Sequence, residues 1–495
     1  MSDQNTDYQS WVAAYKQDAA MLADEGMYRP ETETSACGVG MVASIDGVAR
    51  RDVVLRAIDA LRALWHRGAV DADGKTGDGA GIHVQIPQDF FKEHVRRTGH
   101  ELGRGRLAVG MAFLPRTDLG KQERVRQIME SEVLRLGHRI YGWRQVPVDI
   151  SVIGDKANAT RPEIEQIMVE NARDVDDSQF EVDLYIMRRR IEKAFLAENL
   201  SDAYICSLSC RSVIYKGLFL AEQLTAFYPD LLDERFTSNF AIYHQRYSTN
   251  TFPSWPLAQP FRVLAHNGEI NTLTGNVNWM KSHETQLDDP VFGDHVADIK
   301  PVIQPSSSDS SALDAAFEVL VRTRRQLPEV KSLLIPEAWE NSSSMPDSLR
   351  AFYRYANGVM EPWDGPAAIA AYGGRWVLAG LDRNGLRPMR YVVTGDGLLI
   401  VGSEIGMVKT EETTTVEKGR LGPGQMIAVD LKNGKLFHDS ALKEHVAKLN
   451  PFGEWVKNVT ELSQLDGAGA GAPGDTSRDG LRRRMLTVGW SMEDV

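Results

Sequence analysis

The chain of 495 residues is 42% hydrophobic and carries a formal net charge of −12, so it can fill a sizeable core and is poorly suited to nucleic acid or an anionic membrane surface. It holds no run of 18 or more apolar residues and no basic-then-apolar leader, which excludes a membrane-spanning helix and argues against secretion. The three cysteines, Cys37, Cys206 and Cys210, are too few for a disulfide scaffold and fit a reducing, cytoplasmic setting.

In chain order, Tyr8–Glu25 has helical spacing of Trp11, Val12, Tyr15, Ala19 and Leu22. Gly38–Ile45 reads as a strand, and Arg50–Leu64 as an amphipathic helix with Val53, Val54, Ala57, Ile58 and Leu61 on one face. A Gly- and Asp-rich loop, Thr76–Gly81, leads into a strand at Ile82–Ile86. The spacing predicts helices over Lys121–Leu136 and Arg161–Asn171, then strands at Glu181–Arg188, Ala203–Leu208 and Arg211–Tyr215. Cys206 and Cys210 form a lone C-x3-C, expected to pack in the core of that strand pair and not to hold a metal. Further strands follow at Phe240–Tyr247 and Phe261–Ala265, and a helix at Asp309–Thr323. Short strands between Ala367 and Glu404, punctuated by Gly373-Gly374, Asn384-Gly385 and Asp396-Gly397, predict an antiparallel meander. Runs of strands with grouped helices give an α+β layout. The Gly-, Ala- and Ser-rich tract within residues 461–480 reads as a flexible linker, and residues 481–495 as the start of a truncated following domain.

Five segments could carry chemistry. Cys37, in Ala36-Cys37-Gly38-Val39-Gly40, would become an N-terminal nucleophile if the chain were cut before it. Its own α-amine, titrating near about 8, would then serve as the base. Residues 1–36 would be a propeptide; the plainer alternative is a buried cysteine beside a glycine-rich turn. Arg246, in His244–Thr251, could clamp a carboxylate with two parallel hydrogen bonds, or form a surface ion pair. Asn267 and Gly268 could supply two oxyanion donors, although Asn-Gly is also a favoured hairpin turn. Asp309, in Ser306–Ser311, could hold an ammonium group, and Ser308 or Asp309 could cap the helix that begins there. The stretch from Trp65-His66-Arg67-Gly68 to Gly81 reads as a lid or a surface loop. It lacks the glycine spacing and the Lys-Ser/Thr pair of a phosphate loop.

Together, in this order, the segments resemble the class II glutamine amidotransferases, which are N-terminal-nucleophile hydrolases. Within that family the chain is similar to the amidotransferase domain of glutamate synthase large (alpha) subunits. The resemblance rests on Thr76–Gly81, His244–Thr251, Asn267–Thr272 and Leu381-Asp382-Arg383-Asn384-Gly385-Leu386-Arg387-Pro388, and covers about residues 30–460. It implies a four-layer αββα sandwich of two antiparallel sheets and an amidotransferase domain over residues 37–460. It further implies L-glutamine as substrate, Cys37 as nucleophile, Arg246 on the α-carboxylate and Asp309 on the α-ammonium. Asn267 and Gly268 would form the oxyanion hole, and Arg67 and Gly68 would belong to the loop over glutamine. For the full-length enzyme it implies FMN and iron–sulfur clusters, further synthase domains, and a small (beta) NADPH-oxidising subunit or ferredoxin; no cofactor is expected within this chain. Other class II amidotransferases would need phosphate- or sugar-binding domains, which this sequence does not display. A non-catalytic module that keeps the fold is the remaining alternative.

Overall fold

The computed structural model describes residues 38–460 apart from 104, 247–252, 306, 405 and 411–413, together with residues 477–487 and, near the N-terminus, 17, 20, 21 and 23–26. Most of the helix expected over Tyr8–Glu25 lies outside the described residues, as do most of the expected linker and the last residues of the chain.

Numbered along the chain, the strands form three antiparallel sheets. The first has the order β14-β12-β13-β1-β8-β2-β7, with β1 (Val39–Ser44), β2 (Ala80–Gln85), β7 (Ser212–Gly217), β8 (Phe240–Gln245), β12 (Arg390–Thr394), β13 (Leu398–Gly402) and β14 (Thr415–Arg420). The second has the order β16-β15-β11-β10-β9, with β9 (Leu264–Gly268), β10 (Ala367–Tyr372), β11 (Trp376–Leu381), β15 (Met426–Asp430) and β16 (Lys435–Phe437). The third has the order β4-β5-β3-β6, with β3 (Ala108–Leu114), β4 (Arg139–Gln145), β5 (Glu163–Glu170) and β6 (Tyr204–Ser209).

Side-chain alternation along the central strands creates the layers. Val39, Met41 and Ala43 of β1 and Phe240 and Ile242 of β8 point one way, into a shared core with Ala265, Ala368, Ala370 and Ala379 of the second sheet. Alanines and valines share the facing surface with larger side chains, and Phe240 stacks on Tyr372 with ring centroids 3.8 Å apart. The opposite faces are covered by helices. Val42 and Ala241 pack with α1 (Arg51–Ala63), which buries Val53, Val54, Ala57, Ile58 and Leu61 as its spacing predicts. Ile369 and Leu378 pack with α3 (Asp309–Arg322) and α4 (Leu327–Leu334). The αββα expectation therefore holds, with the third sheet as an addition it did not include.

Two local expectations are corrected. Arg161–Asn171 is strand β5, not a helix. Ile164, Ile167 and Met168 mimic helical spacing, but β5 lies between β3 and β4 with nearly every position buried, so the period-two signal is erased. Glu181–Arg188 belongs to α2 (Asp177–Ala197), not to a strand. Val182, Leu184 and Ile186 alternate because this helix is apolar on two sides: Phe180, Leu184, Met187 and Ile191 face the third sheet, and Val182, Tyr185 and Ile186 face the core around α3. Its start is set by Asp176, whose carboxylate accepts from Ser178 N (2.9 Å) and Gln179 N (2.8 Å). Among the described residues no helix is long and apolar enough to cross a membrane.

Candidate functional site

The site is built where β1 begins. In the register of β1 and β8, Val39 stands opposite His244, and Gln245 N donates to Gly38 O (2.7 Å). Gly38 has no room for a side chain: a Cβ would lie 3.0 Å from the Gln245 carbonyl carbon and closer still to its oxygen. Cys37 lies outside the described residues, as do residues 247–251 of the arginine motif. Arg246 leaves β8 with φ +96°, a strained conformation for a non-glycine residue, and its N–H donates to Gly79 O (2.9 Å). Among the described residues no carboxylate pairs with its guanidinium.

Across the sandwich, β9 packs on β1 and β8. Asn267 and Gly268 are its last residues, opposite Ala368 and Ala367 of β10, so the dipeptide ends a strand and is not a hairpin turn. Asn267 shares a face with Ala265, which lies between the sheets, so its amide is directed toward β1 and β8. A Cβ on Gly268 would stand 2.7 Å from the Pro366 carbonyl carbon and 2.8 Å from His266 Nε2. The strand is fixed to α3 by Asp314, whose carboxylate accepts from Arg262 N (3.2 Å), Val263 N (2.8 Å) and Leu264 N (3.0 Å). His266 Nδ1 lies 2.8 Å from Ser310 Oγ.

Asp309 is the first residue of α3, and the cap is Ser308, whose Oγ accepts from Ser311 N (3.2 Å). The Asp309 carboxylate is thereby free of capping duty; its Oδ2 accepts from Ile270 N (3.1 Å), three residues beyond Asn267. The turn Leu381–Pro388 braces this region. Asp382 accepts from Ala367 N (2.8 Å), opposite Gly268, and from Asn384 N (2.9 Å) and Gly385 N (3.2 Å). Arg383 pairs with Asp364 (2.5 Å), whose carbonyl accepts from Asn271 N (2.8 Å).

The loop after α1 closes the assembly. Asp73 accepts from Thr76 N (2.7 Å) and Lys75 N (3.0 Å), making a tight turn that docks on the short helix Asp155–Ala159 through Thr76 Oγ1 and Ala157 N (3.2 Å). At its other end Gly68 rests against the Gln245 side chain, whose amide end would have to move to admit a Cβ. Arg67 Nε donates to Glu404 Oε1, and His66 Nε2 lies 3.1 Å from both oxygens of the same carboxylate. Burial raises the Glu404 carboxyl, but His66 and Arg67 outweigh it and hold the group below its ordinary value.

His244 of β8 and His266 of β9 are buried beside the site, whereas His83 lies farther along β2, edge-on to Phe240 and Tyr372. Burial pushes His83 and His244 down to about 3 each, and lowers His266 despite the nearby Asp309 charge. Cys206 and Cys210 are buried; burial pushes the Cys206 thiol up to about 12 and Cys210 well above its ordinary value. Cys206 sits in β6 and Cys210 in the turn to β7, strands that belong to different sheets.

The structure thus gathers Arg67, Gly68, Arg246, Asn267, Gly268 and Asp309 around the start of β1. Gln245 links the loop to β8, and Ile270 links the strand end to α3. Sequence reasoning missed Glu404, Gln245, Asp314 and Asp382 as supports. Gln245 and Asp382 lay inside recognised motifs; Glu404 and Asp314 had no local signal.

A two-layered antiparallel core with these groups at one end defines a class of protein, and the sequence profile of glutamine amidotransferases class-II matches residues 37–455. The chain belongs to that family. It is 61% identical over 489 residues to the glutamate synthase [NADPH] large chain of Azospirillum brasilense, covering 98% of this chain and 32% of that protein. It is 42% identical over 470 residues to ferredoxin-dependent glutamate synthase 2, chloroplastic, of Arabidopsis thaliana, covering 94% of this chain and 29% of that one. The chain therefore spans about a third of the length of these relatives. Among solved structures, the glutamine phosphoribosylpyrophosphate amidotransferase from B. subtilis aligns over 73% of this chain and 49% of its own, with 14% identity and a TM-score of 0.28.

Proposed function

We propose that this chain hydrolyses L-glutamine to glutamate and ammonia through a thioester on Cys37, after removal of residues 1–36. The observation that carries the reading is the convergence of Arg246, Asn267–Gly268 and Asp309 on the beginning of β1, under a loop anchored on both sides. Arg246 and Asp309 hold the α-carboxylate and α-ammonium, which leaves the side-chain amide over the thiol. The Cys37 α-amine takes the thiol proton as sulfur attacks. The amide oxygen then develops negative charge against the Asn267 amide and the Gly268 N–H, donors each worth about 3–4 kcal/mol in the transition state. The amine returns the proton to the leaving ammonia, and water hydrolyses the γ-glutamyl thioester. Closure of the Arg67–Gly68 loop excludes bulk water and keeps ammonia unprotonated.

In a longer protein of the relatives' kind, the ammonia would serve reductive amination of 2-oxoglutarate to glutamate. Residues 461–480 would act as a linker and 481–495 as the start of the next domain. An iron–sulfur cluster of the four-thiolate type does not fit these residues. The sequence has three cysteines, two of them buried, and among the described residues no three His, Cys, Asp or Glu side chains are grouped to hold a metal ion. We assign such clusters, FMN and contacts with ferredoxin or an NADPH-oxidising subunit to the remainder of such a protein, and the location to the cytoplasm.

The test is an intact-mass spectrum of the purified chain before and after a glutamine-like electrophile. Loss of residues 1–36 and one adduct on Cys37 are expected, with ammonia release from glutamine abolished by Cys37→Ala. An uncut, unlabelled and inactive chain would mean that maturation needs the remainder of a longer protein, or that this is the non-catalytic module.

A further inference from the structure

Loop closure depends on where Arg67 is held, and one carboxylate holds it. We infer that Glu404 is a positioning residue for glutamine capture: through Arg67 and His66 it fixes the loop across the start of β1 before substrate arrives. This inference rests on the reading of the site given above.

The strand order β13-β1-β8 sets three strand ends side by side. Ser403 N donates to Val39 O (3.2 Å), so Glu404 leaves the sheet beside the start of β1 on the β13 side. On the other side Gly68 is seated against Gln245 of β8. His66, Arg67 and Gly68 therefore bridge from β13 to β8, over the end of the strand that Cys37 precedes. Their root is a single 3-10 turn, Trp65–Arg67, closed by Gly68 N donating to Trp65 O (3.2 Å). Glu404 ties that turn to the sheet by engaging two of its side chains at once. The side chains are largely withdrawn from solvent, at 12% exposure for Arg67, 18% for His66 and 19% for Glu404. Removing the carboxylate would leave a guanidinium unpaired in a poorly solvated place, so the loop would swing out to hydrate it. The ordering cost then falls on glutamine binding, which raises KM, while chemistry on bound glutamine is largely spared.

The experiment compares Glu404→Gln, Glu404→Asp, Arg67→Ala and the Arg67→Ala/Glu404→Gln double variant by glutamine steady-state kinetics, with amide hydrogen exchange over residues 66–70. Glu404→Gln keeps the shape and removes the charge. It is expected to raise KM by about tenfold with kcat within about threefold of wild type, and to speed exchange at Arg67 and Gly68. Glu404→Asp should recover part of the KM, and the loss in the double variant should fall clearly short of the sum of the two single losses, because Glu404 acts in part through Arg67 and in part through His66. A wild-type KM and unchanged exchange in Glu404→Gln, or additive losses in the double variant, overturn the inference and leave the reading of the site intact. A wild-type chain that hydrolyses no glutamine overturns both.

Discussion

Replacing Gly268 by alanine puts a methyl group where the structure has a neighbouring backbone. The new Cβ would stand 2.7 Å from the Pro366 carbonyl carbon and 2.8 Å from His266 Nε2. The Pro366 carbonyl oxygen would be closer still. A carbon and an oxygen are comfortable only beyond about 3 Å, so β9 and the segment entering β10 must part by more than about 1 Å at the residue whose N–H is proposed to meet the oxyanion. Glu269 N, which donates to Pro366 O (2.9 Å), is drawn along. Overpacking of this kind costs about 1–3 kcal/mol of stability. A misplacement of about 1 Å at reacting groups costs roughly a hundredfold in rate, or about 2.7 kcal/mol of barrier. Gly268→Ala should therefore stay folded, with a lowered urea midpoint, a KM near wild type and kcat down about a hundredfold. Gly275→Ala is the control: in the helix Leu273–Thr285, its Cβ meets nothing within 4 Å, so kcat should hold and stability should be unchanged or slightly raised. The assay is initial-rate ammonia release across glutamine concentrations, with circular dichroism to confirm the fold. A Gly268→Ala protein with wild-type kcat would refute the placement of the oxyanion donors at the end of β9.

Arg246→Gly and Arg246→Ala should both raise KM for glutamine by ten- to a hundredfold, while the glycine variant is more stable by about 1 kcal/mol because φ is +96°; equal urea midpoints would refute the strain. Ser308→Ala should lose about 1 kcal/mol of stability with KM unchanged, whereas Asp309→Asn should raise KM; a KM rise in Ser308→Ala would merge the two roles. His83 and His244 stay neutral in the fold down to about pH 3, whereas unfolded imidazoles take protons below about 6.5, so the unfolded state binds more protons and stability falls as pH drops from 6.5 toward 3. Each contributes about 2 kcal/mol of loss between pH 7 and pH 5, and His83→Leu should shrink the difference in urea midpoint between those pH values; an unchanged difference would refute the burial argument.

Much of this protein was legible along the chain. The strands β1 and β8 and the helices α1 and α3 lie where the sequence placed them, and α1 shows its 3.6-residue period because one face meets a core and the other is more open. The turn glycines of the meander were equally plain: Gly374, Gly385 and Gly397 have φ of +82°, +61° and +82°, values that other residues rarely adopt. The ordered set of short motifs carried the family and nominated the residues around β1.

Tertiary structure decided the rest. β5 and α2 are covered on both sides, so burial removed the periodicity that would have told strand from helix. Ser308 rather than Asp309 took the cap, and Asn267-Gly268 ended a strand instead of turning, because β10 and Asp314 were there to receive β9. Glu404 and Arg67 are 337 positions apart, joined by a pairing of β13 with β1 that no local window contains. A residue's own neighbours along the chain set its local preference, while its charge partner and the emptiness beside its Cα are set by strands that arrive from elsewhere.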